Sequence, residues 1–328
     1  MGYINPRWSN DGVFSMSKTV LCDNLKAGLD RFRPFPPETL ASLRNYYRVG
    51  LTWSSNALEG NSLTESETKV IIEDGLTVHG KPLHDVYEAL GHSDAYDYIH
   101  SMAVDKDLEI NDILKLHELF YKRINPEQSG KFRSVKVFIS GSRYPLPAPE
   151  KIAALMDEFI AWLNKKENKL HPVTLAAEVH KRFVFIHPFV DGNGRVARLL
   201  MNLILIRHGY PVAIIPPILR SEYITLLEVA HRTPEKFIDF IIDREIDTLR
   251  ELLRLLGDDV AAAAETPLPA DCEKLLQILK NEPGLRVPEL MKQMQKSRPT
   301  VERYLRQLRE KELVEFRGAP KNGGYFGK

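Results

Sequence analysis

Cysteine is nearly missing from this chain. Only Cys22 and Cys272 occur among its 328 residues, far apart, which excludes a disulfide framework and a thiolate metal cluster. No apolar run reaches membrane-spanning length. The first twenty residues mix Asn, Arg, Ser, Asp and Lys without a hydrophobic stretch, so neither a membrane span nor a secretory leader is expected, and a cytoplasmic location is the default. A charge excess is also lacking, with 45 basic and 44 acidic residues giving +1. The ten histidines, His117, His171 and His180 among them, show no paired metal-ligand spacing and suit packed or surface roles. No repeat of fixed period is present. The run Gly75-Leu76-Thr77-Val78-His79-Gly80-Lys81 imitates a phosphate-binding loop, but Pro82 stands where a Mg2+-binding hydroxyl is needed, and no clear strand feeds it.

Helical periodicity dominates. Segments 39–58, 65–74, 84–104, 111–124, 149–165, 173–186, 194–208, 222–231 and 234–256 carry apolar residues at helical spacing. Strand alternation is confined to Val135, Val137 and Ile139, ahead of a Gly141-Ser142 turn, and to the far C-terminus. The fold class is mainly α. A first domain over 1–256 is followed by a small, Pro-punctuated linker at 257–270, and a second domain occupies 271–328. In the second, 13 basic residues face 8 acidic ones. It reads as three short helices (272–280, 287–294, 298–311) and two strands around a turn, which resembles a winged helix-turn-helix. Ser297 would cap the third helix, whose Arg298, Thr300, Arg303 and Gln307 would project outward toward a DNA groove. The same module also serves as a protein-contact or dimerisation unit, so DNA as a partner and a homodimer are both open.

The most informative segment is His187-Pro188-Phe189-Val190-Asp191-Gly192-Asn193-Gly194-Arg195-Val196-Ala197-Arg198, followed by an apolar helical run. Two glycines flanking Asn193 permit a sharp turn and close approach of backbone to ligand. The turn opens into a helix whose first N–H groups lack partners and whose dipole favours a phosphate. Arg195 and Arg198, three apart, share one face and suit phosphate oxygens. Asp191 is placed for Mg2+, and a neutral His187 can accept a hydroxyl proton. Each part alone has a plain reading: a helix stop, an ordinary turn, a solvated arginine face. In this order a turn alone does not account for them.

This segment resembles the signature of the Fic family, His-x-Phe-x-Asp/Glu-Gly-Asn-Gly-Arg-x-x-Arg, at every specified position. The resemblance covers roughly residues 30–250. It implies a Fic-type helical domain with a small β-hairpin flap and a protein adenylyltransferase that moves AMP from ATP to a Ser, Thr or Tyr hydroxyl of a protein, itself included, with release of pyrophosphate. In that reading His187 is the general base, Phe189 packs to fix the loop, and Asp191 binds Mg2+. Gly192, Asn193 and Gly194 line the anion hole, Arg195 meets the β-phosphate side and Arg198 the γ-phosphate. Gly194 argues against the related Doc kinases, which carry Lys there. The same loop could serve another nucleotide or phosphocholine donor, or the removal of AMP. A nucleotide-sensing DNA-binding regulator with little turnover is the rival from another class.

Three further assignments follow from the resemblance. Ser55-Asn56-Ala57-Leu58-Glu59-Gly60 looks like the family's inhibitory helix (about 48–60), with Glu59 pairing Arg198; a capped surface helix is the plain alternative. Segment 131–144 suggests a flap whose edge pairs with the target backbone, with Ile139 and Tyr144 as docking side chains. Tyr223 is placed near the nucleotide base, or is simply a packed helix aromatic.

Overall fold

The computed structural model describes residues 12–103, 107–167, 169–258, 270–310, 313–318 and 323–327. These form thirteen α-helices and one two-stranded hairpin: α1 Gly12–Asp30, α2 Pro37–Ala57, α3 Glu65–Glu73, α4 Leu83–Ser101, α5 Ile110–Tyr121, α6 Ile152–Lys166, α7 Pro172–Ile186, α8 Asn193–Arg207, α9 Arg220–Val229, α10 Glu235–Leu255, α11 Ala270–Asn281, α12 Val287–Met294, α13 Arg298–Glu310, then β1 Val314–Arg317 and β2 Gly324–Gly327. One compact unit is Cys22–Ala264; the other gathers Met1–Leu21 and Glu265–Lys328. The linker expected at 257–270 falls almost wholly outside the described residues; the helix expected at 84–104 ends at Ser101, capped by Met102.

Helix α8 organises the larger unit. Every residue from Arg195 to Leu205 is buried, and a helix buried all round must be central. Helices α7, α4, α5 and α2 pack on it. The start of α7 has Pro172 in the first turn, where a missing N–H costs nothing. Helix α3 opens on a capping box between Thr64 and Glu67. Helix α1 was not expected, because its first residues carry no apolar run. Its signal lies later: Leu21, Cys22, Leu25 and Leu29 recur at helical spacing and are buried.

In the smaller unit, Leu275, Leu279, Leu290, Val301, Leu305 and Leu308 form a core of their own. The hairpin pairs Val314 with Gly327 and Arg317 with Gly324 in antiparallel register. Arg298, Glu302, Arg303, Arg306 and Arg309 are exposed along α13. Gln307 is not part of that face: it is half-buried and accepts a hydrogen bond from the Cys272 thiol at 3.3 Å. It follows Tyr304 by three positions, and Tyr304 is itself inward-facing and 3% exposed.

The flap also departs from expectation. Residues 131–147 carry bends at 131, 135 and 144 and a turn at 140–141, and neither limb forms a strand. Pro145 and Pro147 on the return limb have no N–H to donate to a ladder. The described strands are those of the C-terminal hairpin.

Candidate active site

His187 ends α7 in the left-handed region, at φ 53° and ψ 58°. That conformation turns the chain back into the loop leading to α8. The His187 Nδ1 lies 3.3 Å from the Val184 carbonyl. A carbonyl only accepts, so Nδ1 carries the proton and Nε2 keeps its lone pair. Burial, then the cation of Arg133, lowers the His187 pKa to about 4, against the opposing pull of the Val184 hydrogen bond, Glu59 and Asp191.

The loop is closed by one side chain. Asn193 accepts from the Phe189 N–H and donates to the Phe189 carbonyl, both at 2.9 Å. Phe189, fully buried, stacks flat on His117 at 3.8 Å. His117 reaches the Asp191 carbonyl through Nε2 at 3.2 Å and accepts from Gly130 N–H through Nδ1 at 3.0 Å. Those partners fix its tautomer, and burial lowers its pKa to about 4, so it remains a neutral prop under the loop. Gly192 has φ 76°, and a Cβ there would come within 2.8 Å of the Phe120 ring. Asp191 is exposed; its Oδ1 accepts from the Gly192 N–H at 2.6 Å and from Arg195 at 3.3 Å.

Both motif arginines are engaged. Arg195, 3% exposed, lies over the Phe120 ring and donates to Glu88, which also accepts from Asn61 at 2.8 Å. Arg198, 1% exposed, makes four bonds: Nε to Ser55 Oγ and Nη2 to the Ser55 carbonyl, each 2.8 Å, Nη2 to Glu59 Oε1 at 2.7 Å, and Nη1 to the Tyr223 hydroxyl at 3.2 Å. Tyr223 donates in turn to His180 Nε2 at 2.9 Å, with His180 kept neutral by burial at about 3. Burial alone would raise the Glu59 carboxyl; Arg198, then Arg195, outweighs it and holds the group below its usual value. Helix α2 ends at Ala57, earlier than the segment expected, and Glu59 sits in the turn that follows. Bonds from Glu59 N–H to Asn56 and from Gly60 N–H to Ala57 hold that turn, and Gly60 at φ 101° releases the chain. Arg220 holds the same turn through the Leu58 carbonyl at 2.7 Å.

A cleft of about 350 Å³ opens on His187, Gly194, Glu59 and Tyr223. Its wall is Ile224, Leu227 and His231, and its lid is Ile139, Ser142 and Tyr144 of the flap. Tyr144 stacks on His231 at 3.8 Å, and His231 on Phe185 at 3.7 Å. Glu228 accepts from Ser142 Oγ at 2.9 Å and from the Arg143 N–H at 2.7 Å. The structure thus gathers Ser55, Glu59, Ile139, Tyr144, His187, Asp191–Arg195, Arg198 and Tyr223 in one place. Arg298, Thr300, Arg303 and Gln307 belong to α13 of the other unit. Sequence reasoning missed Glu88, Phe120, Arg133, Arg220 and Glu228. Each acts from a segment distant in sequence, and no local spacing marks it. His180 is buried, as a packed role requires, and accepts from the tyrosine that holds Arg198. Among the described residues no cluster of three or more His, Cys, Asp or Glu could hold a metal, and no helix is long and apolar enough to cross a membrane.

Residues 107–205 match the Fic/DOC family, and 274–315 match the arsR family of bacterial regulatory proteins. Over 241 residues the chain is 38% identical to protein adenylyltransferase Fic of Drosophila melanogaster, covering 73% of this chain and 46% of that protein. The corresponding protein of Drosophila grimshawi is 38% identical over 228 residues, 69% of this chain and 45% of that one. The chain therefore spans about half the length of these curated relatives. Among solved structures, Fic-1 from C. elegans has a TM-score of 0.68 at 26% identity, covering 75% of this chain and 74% of that one. A Fic domain containing signaling protein from Bacteroides thetaiotaomicron scores 0.65 at 28%, covering 76% of this chain and all of that one. A Fic family protein from Desulfovibrio desulfuricans shares the fold along 99% of this chain and 98% of its own, with a TM-score of 0.62 at 23% identity.

Proposed function

This chain carries a Fic/DOC domain ahead of an arsR-type helix-turn-helix and is homologous to protein adenylyltransferase Fic; from that premise we propose that it transfers AMP from ATP to a Ser, Thr or Tyr hydroxyl of a protein target, with Glu59 restraining the reaction. The observation that carries this is the orientation of His187: its Nδ1 proton is held by Val184, and Nε2 is left to accept a proton beside an anion-binding helix start. The target hydroxyl oxygen attacks the α-phosphorus. The new P–O bond forms as the bond to the β-phosphate oxygen breaks, pyrophosphate leaves, and the hydroxyl proton goes to Nε2. Gly192, Asn193 and Gly194 with the first N–H groups of α8 hold the phosphates, and Arg195 and Arg198 neutralise them. Asp191 is the one carboxylate of the loop, and its side chain is half exposed. That fits Mg2+, which takes few protein ligands and completes its shell from phosphates and water; when bound it would neutralise developing phosphate charge. The flat wall of Ile224, Leu227 and His231 suits a purine, with Tyr223 behind it serving Arg198. Transfer of UMP or phosphocholine, or removal of AMP, would use the same loop.

Mass spectrometry of the chain incubated with a target-bearing extract, ATP and Mg2+ tests the reading. A gain of one adenylyl group on a protein hydroxyl is expected. A gain from UTP or CDP-choline and none from ATP would overturn the donor assignment.

A DNA partner for the smaller unit is favoured by exposed Arg303, Arg306 and Arg309 on α13; Arg298 is there too, but paired with Glu302 at 2.8 Å. Retention on duplex DNA should fall with salt. Replacing Arg303 and Arg306 by alanine should lower the slope of log affinity against log salt by about 2. Salt-independent retention would turn the assignment toward a protein contact.

A further inference from the structure

Arg133 is 2% exposed and buried at the base of the flap. Its bonds go to main-chain carbonyls of three separate segments. Nη1 donates to Val135 at 3.1 Å, on the outgoing limb, and Nη2 to Pro147 at 2.7 Å, on the return limb. Nε donates to His187 at 2.8 Å, and the Arg133 N–H donates to Pro188, also at 2.8 Å. Only a planar fork with several fixed donors can serve these acceptors together. The limbs need such a tie because they exchange no ladder, and Pro147 has no N–H to offer one. His187 needs it because a non-glycine residue at φ 53° is held there only by its surroundings.

We infer that Arg133 is a positioning residue that locks the flap and His187 into one register, so that an acceptor chain laid along the flap presents its hydroxyl at a fixed height above Nε2. The kinetic part of this inference rests on the proposed transfer reaction; the structural part does not. The guanidinium also faces the imidazole electrostatically. With burial it lowers the His187 pKa, against the Val184 hydrogen bond, Glu59 from the turn after α2 and Asp191 from the loop.

The test compares Arg133→Met and Arg133→Lys with the parent full-length chain, each also carrying Glu59→Gly for kinetics. Hydrogen exchange of the non-proline amides of 134–146, NMR titration of the His187 ring and the two KM values are the readouts. In Arg133→Met, flap exchange should rise at least about tenfold, the His187 midpoint should move up, and kcat should fall with a higher KM for the acceptor and an unchanged KM for ATP. Arg133→Lys restores the charge without the fork, so the midpoint should return while the flap stays unprotected. Should Arg133→Met fail to fold, Arg133→Lys alone decides, through loss of flap protection at a near-normal midpoint. Parent-like flap protection in either folded variant overturns the inference. Loss of protection with no AMP transfer in any chain, Glu59→Gly alone included, instead refutes the transfer reading and leaves the tie standing.

Discussion

His187→Ala lowers the incorporation of label from ATP carrying it on the α-phosphate by about 10³-fold, within the range that a positioned general base contributes, while ATP retention changes less than about twofold. The two readouts part because the residues that would grip the phosphates are not those that would take the proton. Asn193 closes the loop on Phe189, and Phe189 rests on His117, so loop geometry does not depend on the imidazole. The pH profile adds a second check. A histidine with a lowered pKa stays neutral to lower pH, so its base form is present above about 4 and is lost as pH falls through that value. The acid limb of the transfer rate should therefore lie near pH 4 rather than 6.5. Undiminished labelling by His187→Ala would remove the base assignment.

How much of this could be read from the chain depends on the range of each interaction. The loop between α7 and α8 was legible because its parts are contiguous: the turn glycines, the asparagine, the arginines and the helix start lie within twelve residues. The Glu59 turn was legible only beside that loop, since Ser55 and Glu59 are ordinary residues on an ordinary helix end. What the sequence withheld is long-range. Glu88 reaches Arg195 from α4, and Arg133 meets His187 across 54 positions; neither has a local pattern. Alternation at Val135, Val137 and Ile139 suggested a strand that the structure does not have; alternation says nothing about a pairing partner, and the prolines on the return limb remove one. Outward projection of Gln307 failed for a related reason: its direction is set by Cys272, 35 residues earlier.

Glu59→Gly should raise AMP transfer about 30-fold. Arg198 is buried and gives its Nη2 to Glu59 at 2.7 Å, and a carboxylate competes with a phosphate for the same fork. The carboxylate also fills the space beside the loop: a Cβ on Gly194 would stand 2.3 Å from Glu59 Oε1, so a phosphate settling on the N–H groups of α8 meets that oxygen. Removing a close, largely desolvated charge contact is worth roughly 3 kcal/mol, but the Glu59 side chain is 37% exposed, and screening reduces this to roughly 2 kcal/mol. At about 1.4 kcal/mol per tenfold, that gives the stated factor. The ligand-free variant should melt lower, because Arg198 keeps only Ser55 and Tyr223, and ATP with Mg2+ should raise its melting temperature more than that of the parent. Glu59→Gln separates charge from bulk: it keeps a hydrogen-bond acceptor in place and removes the ionic competitor, so its rate should fall between the two. A parent-like rate in both variants would show that the carboxylate does not occupy the phosphate's seat. A full gain in Glu59→Gln would assign the restraint to charge alone, since the amide fills the same volume beside Gly194.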